Sequence, residues 1–185
     1  LKEKPKLGLK FNRSLFKSSK EAFSFICYSD SDYAGDLVTC RSRSGHAIFS
    51  CNSLIYWRSR LQPTISLSST AAEITSLSDL CRELVWITNI SSQIGFSQEL
   101  IPVYEDNRPA ITIAYRTNLT QRTRHIRIRD LWVRELVNTN LCRIYYCSTY
   151  KNIADFFTKI LNARVFKVFA EAITGYSNAR HIPPQ

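Results

Sequence analysis

The feature that most constrains this chain is the run Phe23-Ser24-Phe25-Ile26-Cys27-Tyr28-Ser29-Asp30, an apolar stretch that ends in a carboxylate. Aromatic and β-branched residues fill many of its positions, and it is too short for a typical helix. It predicts a central β-strand with Asp30 at its C-terminal end. A buried strand that delivers an acid to its end is one way to build a metal site in an α/β protein. Three further acids, Glu73, Asp106 and Asp155, sit at the edges of other predicted elements. The expectation is that these four meet.

The remaining elements follow in order. Residues 45–51 and 54–58 predict a hairpin turning at Asn52-Ser53, and strands joined so tightly must be antiparallel. Apolar residues at helical spacing from Ile74 to Ile94 predict a long helix capped by Thr70 and ended by Gly95. A strand over 101–105 leads to Asp106 and Asn107, and Pro109 opens a second helix where its missing N–H costs nothing. A third helix is predicted over 129–137, a strand over 141–147, and a helix beginning at Ala154. The order β-β-β-α-β-α-α-β-α predicts an α/β fold, a mixed sheet covered by helices. Residues 1–22 read as a basic linker or arm, 23–162 as the domain, and 163–185 as a C-terminal helix and tail. Trp57, Trp86 and Trp132 sit in apolar periodic settings and are expected in the core.

Composition narrows the partners. The chain has 185 residues and a formal net charge of +10, which favours a polyanion such as nucleic acid. No apolar run approaches the roughly 20 residues of a membrane span, so no membrane partner is expected. The six cysteines show no CxxC spacing, which predicts reduced, mostly buried thiols in an intracellular protein. The chain contains no Met, and it is expected to be a piece of a longer polyprotein.

Each acid also has a plainer explanation. Glu73 lies three residues after Thr70, the spacing of a capping box. Asp106 or Asn107 can cap the helix opened by Pro109, Asp155 can cap its own helix, and Asp30 can be a turn residue. Taken together, the placements point instead to a shared site at one edge of the sheet. Clustered carboxylates repel one another and resist burial unless cations are present. Two Mg²⁺ ions suit oxygen ligands, with Mn²⁺ able to substitute. Held roughly 4 Å apart, such ions can bind both the attacking water and the leaving oxygen of a phosphodiester.

The motifs themselves extend this reading. Tyr28-Ser29-Asp30-Ser31-Asp32-Tyr33-Ala34-Gly35-Asp36 closely resembles a motif of the ribonuclease H domain in copia-type LTR retrotransposon polyproteins. So do Arg41-Ser42-Arg43-Ser44-Gly45, the stretch from Gln62 to Glu73, Tyr104-Glu105-Asp106-Asn107, Arg122-Thr123-Arg124-His125-Ile126, Arg134-Glu135-Leu136-Val137 and Ile153-Ala154-Asp155-Phe156-Phe157-Thr158-Lys159. They occur in the family's order and cover roughly residues 8–165. The resemblance implies an RNase H-like fold, a five-stranded mixed sheet with the first three strands antiparallel. It implies hydrolysis of the RNA strand of an RNA–DNA hybrid during reverse transcription, with a reverse transcriptase domain upstream. It carries the catalytic, metal-holding role onto Asp30, Glu73, Asp106 and Asp155.

The chain departs from the family in places. Ala71 and Ile74 stand where the family usually has Glu and Tyr, Glu105 where it usually has Cys, and Arg127–Trp132 replaces a segment that usually carries a His. A degenerate or domesticated copy that binds nucleic acid or a protein partner without cleaving is therefore the alternative. An integrase-type transferase shares the fold, but the early Glu73 fits ribonuclease H instead. For substrate, Arg122, Arg124, His125, Arg127, Ser69 and Asn107 are the candidate contacts. Arg129 and Arg134 belong to the same basic stretch, which suits backbone phosphates. Asp32 and Asp36 read as turn residues, Asp32 close enough to influence the site.

Overall fold

The structure is a computed structural model, and it describes residues 8–11, 24–98, 100–116 and 127–175. Its strands are β1 (Phe25–Asp32), β2 (Arg43–Ser50), β3 (Ser53–Leu61), β4 (Ile101–Glu105) and β5 (Cys142–Tyr146). Its helices are α1 (Ser69–Gln93), α2 (Arg108–Tyr115), α3 (Arg127–Asn138) and α4 (Ala163–Thr174). The five strands form one sheet in the order β3-β2-β1-β4-β5. β1, β2 and β3 pair antiparallel, while β4 runs parallel to β1 and β5 parallel to β4. This is the mixed sheet that the element order predicts.

Side chains alternate across a strand, so each strand serves two cores. Phe25, Cys27, Ile48, Ile101, Val103 and Ile144 face α1 and α3, where Leu77, Leu80, Leu84 and Val133 meet them. Tyr28, Ala47, Phe49 and Tyr104 face the other way and pack with Phe169 and Ile173 of α4. Burying each large side chain stabilises by roughly 1.5–3 kcal/mol. The two layers thus fix the sheet from both sides.

Several local expectations are corrected. β1 does not end at Asp30, because its pairing with β2 continues through Ser31↔Ser44 and Asp32↔Arg43. The last pair sets opposite charges across the ladder. The hairpin turns at Cys51 and Asn52, whose φ values of 52° and 58° give the left-handed pair a two-residue turn requires. Trp57 and Trp86 are 54% and 57% exposed, whereas Trp132 does pack on the core. Trp57 lies on the outermost strand, and Trp86 on a helix position outside the apolar stripe. All six cysteines are free, and every one except Cys40 is buried. Among the described residues, no helix is long and apolar enough to cross a membrane.

The segment around Asp155 differs most. The predicted helix beginning at Ala154 is instead a single 3-10 turn, Ile153–Phe157, and a regular helix resumes only at α4. Tertiary packing overrides helical propensity here. The turn lies directly on β2 at Gly45, where an added Cβ would stand 2.5 Å from Thr158 Cγ2 and 2.8 Å from the Ala154 carbonyl oxygen. Only a residue without a side chain lets the turn approach this closely. Asn162 then caps α4, accepting from the Val165 N–H at 3.0 Å.

Candidate active site

Parallel pairing of β1 with β4 begins the site. The register sets Cys27 beside Val103 and Tyr28 beside Tyr104. Carried two residues on, the same offset sets Asp30 beside Asp106. Asp30 is 1% exposed. Its carboxylate accepts a hydrogen bond from Thr158 Oγ1, and its backbone oxygen accepts one from Ser76 Oγ at 2.8 Å. The first contact comes from the segment after the 3-10 turn and the second from α1, so Asp30 is held from both faces.

Two polar side chains carry the other acids to it. Asn152 is fully buried, donates to the Ser29 carbonyl at 2.8 Å and accepts from the Ala154 N–H at 3.2 Å. It therefore ties the Asp155 turn to the strand one residue before Asp30. Gln62 is also buried, and it donates to the Ala72 carbonyl at 2.9 Å and to Ser44 Oγ at 3.0 Å. That clamps the first turns of α1, and with them Glu73, to the end of the hairpin.

The acids are free for this purpose because their neighbours do the capping. Ser68, not Thr70, caps α1, accepting from the Ala71 N–H at 3.1 Å. Glu73 is then too far along the helix to complete a capping box. Asn107 caps α2 through the Ala110 N–H at 2.9 Å, which leaves Asp106 uncommitted. Asn152 caps the Asp155 turn.

Carboxylate oxygens of Asp30, Asp106 and Asp155 all lie within 4.8 Å of one another, and those of Glu73, Glu105 and Asp106 form a second such group. The four sequence-predicted acids are thus brought together, with Glu105 as a fifth. Lys159 Nζ stands 2.9 Å from Asp155 Oδ1 and 3.7 Å from Asp30 Oδ2. Thr149 Oγ1 donates to Asp106 Oδ2 at 2.7 Å. Glu105, Lys159, Thr149 and Thr158 were not read from the sequence as site residues.

Electrostatics records the strain of this gathering. Burial, followed by repulsion from Asp30, lifts the Asp155 carboxyl from 3.8 to about 7 despite Lys159. Burial pushes Glu73 well up, reinforced by Glu105 and Asp30. Burial also raises Glu105, with Asp106 adding to it. Asp30 is raised by burial, partly offset by Lys159 and Thr158. Glu73 Oε2 and Glu105 Oε2 are buried without a hydrogen-bond partner. Such oxygens are costly unless a cation is available to them. The donor set, all hard carboxylate oxygen, fits divalent ions such as Mg²⁺ or Mn²⁺.

The substrate candidates fare differently. Arg122, Arg124 and His125 lie outside the described residues, as does the Arg127 side chain. Ser69 is exposed, one turn before Glu73. Asn107 is half-buried and uses its oxygen on the helix cap. The two other arginines of the basic stretch are not free for phosphate. Arg134 is buried against Asp130, at 2.7 and 2.6 Å, and also donates to the Ile113 carbonyl. Arg129 pairs with Asp79 at 3.2 Å. Asp32 and Gly35 line an open cleft beside the site with Arg43, Phe157 and Lys159.

No family model matches the chain. It is 31% identical over 151 residues to the retrovirus-related Pol polyprotein from transposon TNT 1-94 of Nicotiana tabacum, covering 82% of this chain and 11% of that protein. It is 30% identical over 174 residues to the corresponding polyprotein from transposon RE1 of Arabidopsis thaliana, covering 94% and 12%. The chain therefore spans about a tenth of the length of the curated relatives it matches. Its fold is similar to that of LC11-RNase H1, solved in complex with an RNA/DNA hybrid, at a TM-score of 0.53 and 13% identity over 73% of this chain and 94% of that one. By sequence the chain is a homologue of a segment of the retrovirus-related Pol polyproteins of transposons, and by structure it carries the ribonuclease H fold.

Proposed function

We propose that this segment is a metal-dependent endonuclease that hydrolyses the RNA strand of RNA–DNA hybrids, acting in retrotransposon reverse transcription beside an upstream polymerase domain. The observation that carries the reading is the convergence of Asp30, Glu73, Asp106 and Asp155. They come from four separate elements onto one sheet edge, and the buried Oε2 of Glu73 among them has no hydrogen-bond partner. The solved fold relative bound to an RNA/DNA hybrid supports the substrate class.

In this reading, Asp30, Asp106 and Asp155 hold one side of the centre, and Glu73 with Asp106 holds the other. Bound divalent ions would supply Lewis-acid activation of water and charge stabilisation at the leaving oxygen. The protein's own part is positional. Thr158, Ser76 and Asn152 fix Asp30 and Asp155, Thr149 orients Asp106, and Gln62 fixes the start of the helix that carries Glu73. Lys159 balances the Asp30–Asp155 charge and lies at the mouth of the cleft, where a backbone phosphate would arrive. Ser69 and the amide of Asn107 flank the acids on the α1 and α2 side, and Arg122, Arg124, His125 and Arg127 supply further backbone contacts.

The test is cleavage of a labelled RNA–DNA hybrid with Mg²⁺ or Mn²⁺, comparing the native chain with Asp106→Asn. The expected outcome is metal-dependent cutting of the RNA strand alone, lost in the variant by at least 100-fold, roughly the effect of removing a key electrostatic group. Cutting that survives in Asp106→Asn refutes the assignment. Hybrid binding without cutting, unchanged when the polymerase domain is restored, supports the degenerate module instead.

A further inference from the structure

The fifth carboxylate is the feature that the proposed function leaves unused. Glu105 is the last residue of β4, and alternation along the strand puts it on the same face as Ile101 and Val103. That is the α1 face, where Glu73 lies. Glu105 is fully buried and Glu73 is 6% exposed. Glu105 Oε1 accepts from the Asn107 N–H at 3.2 Å, while its Oε2 and the Oε2 of Glu73 have no partner. Lys159 serves the other side of the cluster, meeting Asp30 and Asp155. Among the described residues, Glu73 and Glu105 make no ion pair.

Oxygens of Glu73, Glu105 and Asp106 lie within 4.8 Å of one another. That is the span of two ligands on opposite sides of a divalent ion held at about 2.4 Å. Three carboxylates around one such ion leave a single net negative charge, and two of the three carboxylates in the group, Glu73 and Glu105, each carry a buried oxygen without a hydrogen-bond partner. Glu105 adds a third hard oxygen donor to the group, and hard donors favour Mg²⁺, Ca²⁺ or Mn²⁺.

We propose that Glu105 is a metal ligand, completing with Glu73 and Asp106 a cation position on the α1 side of the sheet edge, separable from the Asp30–Asp155 side. The proposal rests on reading the acidic cluster as a metal centre, and it does not depend on cleavage. Its consequence is a tighter hold on one ion than Glu73 and Asp106 alone would give.

The experiment is Mn²⁺ binding to the chelator-treated full chain, followed by calorimetry and by the electron paramagnetic resonance of free Mn²⁺. Wild type is compared with Glu105→Gln, Glu105→Cys and Asp155→Asn. The expected result is that both Glu105 variants weaken one ion by at least about 10-fold, since even the loss of a ligand's supporting partner costs that much. Asp155→Asn should leave that ion in place and weaken the other. Wild-type affinity and stoichiometry in folded Glu105→Gln overturn the proposal while leaving the metal centre intact. Absence of Mn²⁺ binding to wild type overturns both. Should neither Glu105 variant fold, crystals of wild type soaked in Mn²⁺ decide through anomalous scattering. A peak against Glu105 supports the site, and peaks at Asp30 and Asp155 alone refute it.

Discussion

Asp155→Asn should stabilise the metal-free protein at alkaline pH while weakening its metal binding. The Asp155 carboxyl is lifted from 3.8 to about 7, chiefly by burial and next by Asp30. A carboxyl raised on folding stabilises the fold while protonated. That contribution is complete below pH 3.8 and is lost as the pH rises through about 7. A shift of about three units corresponds to about 4 kcal/mol at roughly 1.4 kcal/mol per unit. Solvent in the open cleft that Lys159 lines screens part of this, so about half of that, ~2 kcal/mol, is the expected effect. For a chain of this size it corresponds to about 4–8 °C in Tm. The assay is denaturation of wild type and Asp155→Asn in chelator at pH 5 and pH 8. At pH 5 the folded carboxyl is still mostly neutral but the unfolded one is ionised, so only about a third of the difference, below ~1 kcal/mol, should have developed. At pH 8 the variant should be the more stable. Adding Mn²⁺ at pH 8 should reverse the order, because only wild type regains binding energy from the full ligand set. If Asp155→Asn is the less stable protein at pH 8 in chelator, Asp155 is held by favourable contacts, and the account of a frustrated metal-free cluster fails.

Two other perturbations probe the scaffold. Gly45→Ala places a methyl 2.5 Å from Thr158 Cγ2 and 2.8 Å from the Ala154 carbonyl oxygen, so the Asp155 turn must lift. The expected outcome is a loss of about 1–3 kcal/mol in a urea titration, together with reduced hybrid cleavage. Unchanged cleavage would mean that the turn's approach to β2 does not position Asp155. Arg134→Met leaves Asp130, fully buried, without its bidentate partner, and should cost about 3–5 kcal/mol in the same titration. Replacing both Asp130 and Arg134 with apolar residues should recover most of that loss without changing the salt dependence of hybrid binding. A changed salt dependence would restore Arg134 to the substrate side.

The element order was legible because each element carries a local signal. A two-residue connection forces an antiparallel hairpin, Pro109 marks the start of α2, and Gly95 stops α1 at a φ of 89°. Trp57 and Trp86 were misplaced because apolar surroundings in sequence say nothing about which sheet edge or helix side a second layer will cover. The Asp155 segment read as a helix because propensity is local. What breaks it is contact with Gly45, more than a hundred residues earlier. Arg129 and Arg134 also read as a phosphate stripe. Asp79 becomes the partner of Arg129 only once α1 and α3 pack, whereas Asp130 stands one turn before Arg134 on α3 and was a local signal of that pair.

The site was legible at four of its five carboxylates, and capping explains both the success and its limit. Three of those acids stand near a residue that is better suited to capping. Ser68, Asn107 and Asn152 take the helix N–H groups, which frees Glu73, Asp106 and Asp155 from the local roles that compete for acids at helix starts. In sequence, a short polar residue near an acid at a helix start is therefore a sign that the acid is spare. Glu105 escapes that test because it begins no helix. Its own signal was strand alternation: Ile101 and Val103 are core residues, so the next residue on their face must also be inward-facing. A carboxylate at such a position needs a proton or a cation. The unpartnered Oε2 of Glu73 on the facing helix means that the same need arises twice in one place, and the proposed ion would answer both.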